Sequence, residues 1–330
     1  MKVLYGLVAT LALLWTAGWF GLSYWVDAQL DRVIDVQRQN GMTIACSDRS
    51  MRGFPFYLGP ACDSLSIEGA DGSTVISGAV RSSVSLTAPG EAMLELDGPV
   101  QVQSGATTLL ADWNSLSAFI DATFDGGFDL ASFAVADLKV QSNAAQVSAV
   151  SGHGDVKPTT PGDANPRRDL TLALALKGLS TEISETTTSP VDLDINATLD
   201  DAYRDLVERR LPWQLALADG ASADIQQIRL VVPGEGVLSL AGPLQIGADG
   251  LVSGTVSVGL SNPQTLQNWA LSVSPALEQS FALLAQSVAG MGVERNVLGM
   301  QLRAIDLTID RGAVRLGFIK LIDLPPVNLR

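Results

Sequence analysis

Leu170-Thr171-Leu172-Ala173-Leu174-Ala175-Leu176 is the stretch that decides how the chain reads. Every second residue is leucine, and those between are small. A period of two sends alternate side chains to opposite faces of a β-strand, whereas a helix would spread the same leucines around its axis. Downstream, Val191, Leu193, Ile195 and Ala197 alternate with Asp192, Asp194 and Asn196. Val256, Val258 and Leu260 alternate with Ser257 and Gly259. Shorter strand signals stand at Val84/Leu86, Met93-Leu94-Glu95-Leu96 and Val100/Val102. Asp71-Gly72, Asp97-Gly98, Asp125-Gly126, Asp219-Gly220 and Asp249-Gly250 suit tight turns, because glycine accepts positive φ without steric cost. Strands joined by short turns pair antiparallel, and the crossover helices of a parallel sheet are mostly missing. The expected class is mainly β (α+β): extended, curved antiparallel sheets with a few packing helices.

Two stretches read as helices. Residues 199–211 place Tyr203, Leu206, Val207 and Arg210 near one side, and Pro212 ends the run. Residues 264–290 carry Leu277, Phe281, Leu284 and Val288 as an amphipathic stripe. Ser274 suits its cap, Pro275 its first turn, and Gly290 and Gly292 its end. This stripe reads as packing on the sheet, with a lid over an apolar groove as the functional alternative. Residues 153–168, with Pro158, Pro161 and Pro166 among Thr, Gly and Asp, read as an exposed loop. That loop would part a first β portion, 42–152, from a second, 169–330.

The N-terminus reads as a membrane segment. Residues 3–26 contain no charged side chain, and about 20 apolar residues suffice for a helix to span the bilayer core. Trp15, Trp19, Phe20, Tyr24 and Trp25 crowd the far end, where amphipathic rings favour the interface. Lys2 holds the start in the cytoplasm, so the chain after Asp27 is expected outside: a single-pass inner-membrane protein with its bulk in the periplasm. The transmembrane anchor is placed at 1–26 and a short linker helix at 27–41. A cleaved signal peptide is the rival reading, with Val26-Asp27-Ala28 as its cleavage site. Both readings export the same domain.

Composition agrees with that address. Of 330 residues 47% are hydrophobic and only 17% charged, below the ~25% of a typical soluble domain. Against 21 Lys+Arg stand 35 Asp+Glu, a net charge of −14. Such a surface opposes nucleic-acid binding and charge-driven docking on anionic lipid. The two cysteines, Cys46 and Cys62, fit a disulfide in an oxidising compartment, closing a loop of ~15 residues worth about 3 kcal/mol. Two unpaired buried thiols are the alternative.

Catalytic motifs are missing. There is no P-loop, no dinucleotide fingerprint, no H-E-x-x-H, no G-x-S-x-G elbow and no EF-hand loop. The single histidine, His153, sits between Gly152 and Gly154 in the expected loop and reads as solvated. Asp192/Asp194 and Asp200/Asp201 are the available carboxylate pairs, and both read as a solvated face rather than an acid/base couple. No catalytic, cofactor-binding or metal-binding residue is assigned.

Gly53-Phe54-Pro55-Phe56 follows the leading helix, Leu324-Pro325-Pro326 closes the chain, and Leu240-Ala241-Gly242-Pro243-Leu244 leads through Asp249-Gly250 to Gly254. This layout resembles, over essentially the whole chain, a family of membrane-anchored exported proteins of Gram-negative bacteria, the domain of unknown function two-one-two-five. It departs from the family pattern where Gly317-Phe318 stands in place of Gly-Pro. The hairpin grammar is also remotely similar to AsmA-like envelope proteins, which implies lipid traffic. Read locally, Gly53 and Pro55 make a strand-starting device beside the cysteine pair, with Phe54 and Phe56 on opposite faces. The expected function is non-catalytic: holding or passing an apolar ligand, a lipid, on a curved sheet. A filled-core module that recruits envelope proteins is the alternative, and an envelope hydrolase a minor one. The expected partners are the inner membrane and a lipid or envelope protein.

Overall fold

A computed structural model describes residues 2–124, 126–159, 169–183, 186–211, 220–273, 277–297 and 300–327. The chain forms two compact units: Met1–Phe124 with Phe133–Gln146, and Asp125–Ser132 with Val147–Arg330. The described sheet is antiparallel at every pairing that follows. The expected turns Asp125-Gly126 and Asp219-Gly220, the residues Ser274 and Pro275, and Pro161, Pro166 and Pro212 fall wholly or partly outside the described residues.

The first unit opens with one unbroken helix, α1 (Lys2–Gln39), which joins the expected anchor and linker helix into a single element. Among the described residues α1 alone is long and apolar enough to cross a bilayer. Its strands are β1 (Thr43–Ser47), β2 (Ser50–Arg52), β3 (Tyr57–Cys62), β4 (Ser64–Glu68), β5 (Thr74–Ser77) and β6 (Val80–Ser85). Then come β7 (Glu91–Leu96), β8 (Val100–Ser104), β9 (Thr107–Asp112), β10 (Ser115–Ala122) and β11 (Phe128–Ser142), whose last part belongs to this unit. They form a meander whose long passes are each broken near the middle. One half pairs β2–β3–β6–β7–β10, and the other pairs β1–β4–β5–β8–β9–β11.

The breaks lie at Asp48-Arg49, Asp63, Gly78-Ala79, Asp97-Gly98-Pro99 and Trp113-Asn114. Extra residues at such points bend a strand and restore the pleat beyond it. Asp97-Gly98 is therefore a bend between consecutive strands rather than the expected hairpin turn, since β7 pairs β6 and β10 while β8 pairs β5 and β9. Arg81 grips this bend through Asp97 (Nη1 to Oδ2, 2.9 Å) and Glu95 (Nε to Oε2, 3.1 Å).

The second unit holds β12 (Ala145–Pro158), β13 (Leu170–Ile183), β14 (Thr186–Thr187), β15 (Val191–Leu199), β16 (Gly220–Val232), β17 (Gly236–Gly247) and β18 (Val252–Ser261). After two helices follow β19 (Val293–Val297), β20 (Met300–Asp310), β21 (Ala313–Leu316) and β22 (Ile319–Asp323). The leucine ladder that opened the sequence reading is β13. Leu172, Leu174 and Leu176 stand opposite Ala197, Ile195 and Leu193 of β15. Further across, Leu240 faces Val258 and Val258 faces Ile305, so one apolar face runs through β13, β15, β16, β17, β18 and β20. The predicted helix 264–290 is two helices, α2 (Pro263–Val273) and α3 (Leu277–Met291). Leu266, Phe281, Leu284 and Val288 pack with Val232, Val258, Leu260 and Ile305 into a filled core.

Two expectations are corrected in this unit. The loop predicted at 153–168 is still strand through Pro158. Its glycines misled, because Gly152 and Gly154 are buried in the strand while His153 between them points outward. The helix predicted at 199–211 shrinks to a π-helical turn, Arg204–Glu208. Leu199 ends β15 opposite Ala223, and Asp201 then turns the chain with φ +57°.

Candidate functional site: an apolar sheet face beside an aromatic loop

Residues opposite each other in an antiparallel ladder share a face. In the first unit Leu58 faces Val84, Val84 faces Ala92, and Ala92 faces Ile120. The next rungs on the same face are Ser82–Leu94–Ala118 and Cys62–Val80–Leu96. In the other half, Ile44, Ile67, Val75, Val102 and Leu109 make one rung, and Cys46 faces Leu65 in the next. The opposite faces carry Arg81, Glu95, Ser83 and Ser117 with Met93 and Phe119 in one half, and Ser66, Glu68, Gln101 and Gln103 with Ile76 and Leu110 in the other, so they are mixed rather than apolar.

The two apolar rows belong to one surface. Cys46 of one half and Cys62 of the other form a disulfide, so both side chains leave the sheet on the same side. Their Cα atoms are 5.4 Å apart, less than the ~7–8 Å of diagonal neighbours in a flat ladder. The face that bears the cysteines is not packed shut: Leu94 is 43%, Ile120 38% and Leu109 36% exposed. By contrast, the apolar face of the second unit receives α2 and α3 and closes into a core.

At the Leu58 end of this surface lies the loop between β2 and β3. Gly53-Phe54-Pro55-Phe56 is a tight turn, with Tyr57 N–H donating to the Gly53 carbonyl (2.8 Å). The expected extended segment, with rings on opposite faces, is not what forms. Both rings meet α1: Phe54 lies edge-on to Trp19 (5.5 Å) and stacked with Phe20 (6.3 Å), and Phe56 sits 6.4 Å from Trp15. The indole N–H groups of Trp15 and Trp19 donate to the carbonyls of Pro55 (2.9 Å) and Tyr57 (2.8 Å). Nothing in the local sequence announced this contact, because its partners lie some forty residues apart. The aromatic cluster at residues 15–25 was its available signal.

Other residues singled out from the sequence lie elsewhere. Leu324 joins the core of the second unit, its N–H donating to Gly312 O (2.8 Å), while Val327, just beyond Pro325-Pro326, donates to Gly250 O (2.8 Å). The terminal motif is a strap. His153 Nε2 lies 3.3 Å from Asp155 Oδ1 on the solvent side of β12, a neighbour that the loop reading passed over. Asp192 and Asp194 share Lys177 (3.5 and 3.4 Å), and Asp194 also takes Arg229 (3.1 Å), so this pair is neutralised on a polar face.

Asp200 and Asp201 line an open cleft of about 870 Å³ with Leu206, Ile246, Asp249 and Arg311. Partial burial, then the charges of Asp169, Asp201 and Asp224, raises the Asp200 carboxyl above its usual range. Among the described residues no group of three or more His, Cys, Asp or Glu side chains is placed to hold a metal ion.

No curated protein and no solved structure matches the chain, so the AsmA-like resemblance gains no support there. A family match does cover residues 19–325, from the aromatic part of α1 through both β units to the terminal strap. The chain therefore belongs to the bacterial family described as "Uncharacterized protein conserved in bacteria (DUF2125)".

Proposed function

We propose that this is a non-catalytic, membrane-anchored protein of the cell envelope that holds or passes lipid acyl chains on the bent apolar face of its first unit. α1 anchors it, with the N-terminus in the cytoplasm and the β units in the periplasm. The disulfide supports an oxidising address, since such bonds persist outside the cytoplasm. The observation that carries the reading is the partial exposure of Leu94, Ile120 and Leu109, on separate rungs of a face built mostly of apolar side chains. Each 100 Å² of such surface taken from water gains about 2.5 kcal/mol before binding costs. Aliphatic side chains select for an apolar chain without fixing its headgroup.

The full chain, extracted in mild detergent and taken into native mass spectrometry, tests this. Lipid adducts are expected, and they are expected to fall in Leu94→Asp/Ile120→Asp but not in the polar-face control Ser83→Asp. Equal adduct levels in all three chains would remove the proposal. A second reading, an interaction module, is favoured by the filled core of the second unit. Lipid-free wild-type chain that retains a stable protein partner would support it instead.

A further inference from the structure

We infer that the loop 53–57 is a membrane-embedded tongue that lies against α1 within the leaflet at the helix's C-terminal end and opens the apolar face directly onto the bilayer. The inference takes from the preceding reading that α1 spans the membrane; it adds where the sheet meets the lipid.

Two fixed points set the depth. Arg49, at the break between β1 and β2, binds Asp27 (Nε to Oδ1, 3.0 Å) and Asp31 (Nη2 to Oδ1, 2.7 Å) just beyond the uncharged run of α1. Phe54, Pro55 and Phe56 meet α1 at Trp15, Trp19 and Phe20. From the Asp27–Asp31 level to the Trp15–Trp19 level is about 18 Å along a helix. From Arg49 to Gly53, where the chain turns, is about 13 Å of extended chain, and the Arg49 side chain and the turn itself cover the remainder. The hairpin β2–β3 therefore runs alongside α1, polar clamp outside and aromatic tip inward.

Asp27 belongs in or beyond the headgroup layer, which is roughly 5–8 Å deep on each side. Trp15 lies about 18 Å further in along the axis, so its level is about 10 Å inside the hydrocarbon, and of the ring cluster expected at the interface only Tyr24 and Trp25 stay near headgroup level.

The tip is built for that depth. A backbone carbonyl left bare in hydrocarbon is costly. Here four of the loop's five, those of Gly53, Pro55, Phe56 and Tyr57, accept hydrogen bonds from Tyr57 N–H, Trp15 Nε1, Leu86 N–H and Trp19 Nε1. Phe54 and Phe56 keep large exposed surfaces that water would disfavour and acyl chains would cover. Arg52, the nearest cation, turns its guanidinium back: Nε donates to Ser50 Oγ (3.2 Å) and Nη2 lies 4.0 Å from Asp63 Oδ1. That is how an arginine stem lies in lipid while its charge stays outside. The residue after Tyr57 is Leu58, itself buried (5% exposed) in the first rung of the apolar face, opposite Val84, with the more exposed Ile120 two strands further along that rung. An acyl chain beside the tongue is thus one residue from that surface.

The full chain in phosphatidylcholine vesicles with brominated acyl chains tests this, with an environment-sensitive fluorescent residue placed singly at Phe56, Phe54, Phe20 or Ile76. Bromine quenches only probes among the chains. Positions 56 and 54 are expected to lose emission to about the same degree as position 20, with position 76 unchanged. Loss at 20 without loss at 54 or 56 would overturn the tongue and leave the anchor standing. No loss at 20 would overturn the anchor and the tongue together. Loss at 76 equal to that at 56 would also refute the inference, since the contact would not be local.

Discussion

Gly53 has φ +106°, and a Cβ there would come within 2.7 Å of Tyr57 C, O and Cβ. No side chain fits that turn without moving the loop. Gly53→Ala is expected to cost about 1–3 kcal/mol in urea unfolding of the detergent-solubilised chain and to disturb the Trp15 and Trp19 contacts. In the second unit Leu266 is fully buried between α2 and the sheet. Leu266→Ala is expected to cost about 2–5 kcal/mol by the same measurement. Charges behave differently on the two carboxylates that matter most. The hydrogen bonds from Arg81 hold Asp97 below its usual range, so its contribution is complete above about pH 4 and is lost as the pH falls through the lowered folded value. Burial raises Asp200, so its charge costs stability at neutral pH and protonation relieves that cost. Asp200→Asn is therefore expected to stabilise at neutral pH and to change little at about pH 3, read from urea midpoints at both values.

At the level of elements, the disulfide holds the two halves of the bent meander together on one side. Cys46→Ser/Cys62→Ser is expected to lower the stability of the first unit by about 3 kcal/mol, while urea unfolding reported from the α2–α3 core is unchanged. The strands were legible because alternation survives wherever one face is apolar, as in Leu170 to Leu176 and Val256 to Leu260. The breaks between them were not, because no single residue type makes them: Asp48, Asp63, Gly78 and Trp113-Asn114 have little in common but position. The helix reading failed where a short amphipathic pattern met strand pairing, as at Leu199, and the loop reading failed where strand glycines mimicked a loop, as at Gly152 and Gly154. Of the candidate site, the cysteine pair was readable and Gly53-Phe54-Pro55-Phe56 stood out, but as a strand start with its rings on opposite faces rather than as the turn it forms. The docking of that turn on α1 was not readable, because contact at a separation of forty residues leaves no local pattern.

For the whole molecule, an apolar helix, a disulfide-closed sheet with an uncovered apolar face, and a helix-covered second unit assign different work to each part. The second unit has a filled core, and the first exposes part of its apolar face. If that division holds, adjacent residues on one strand of the first unit must see different surroundings. Leu94 and Glu95 are such a pair, one on the apolar face and one beside Arg81 on the polar face. The most direct measurement is therefore photo-crosslinking in native membranes with a photoreactive residue at 94 or at 95. The account predicts lipid adducts from position 94 and none from 95. Equal labelling at both, or labelling of protein alone at 94, would contradict it.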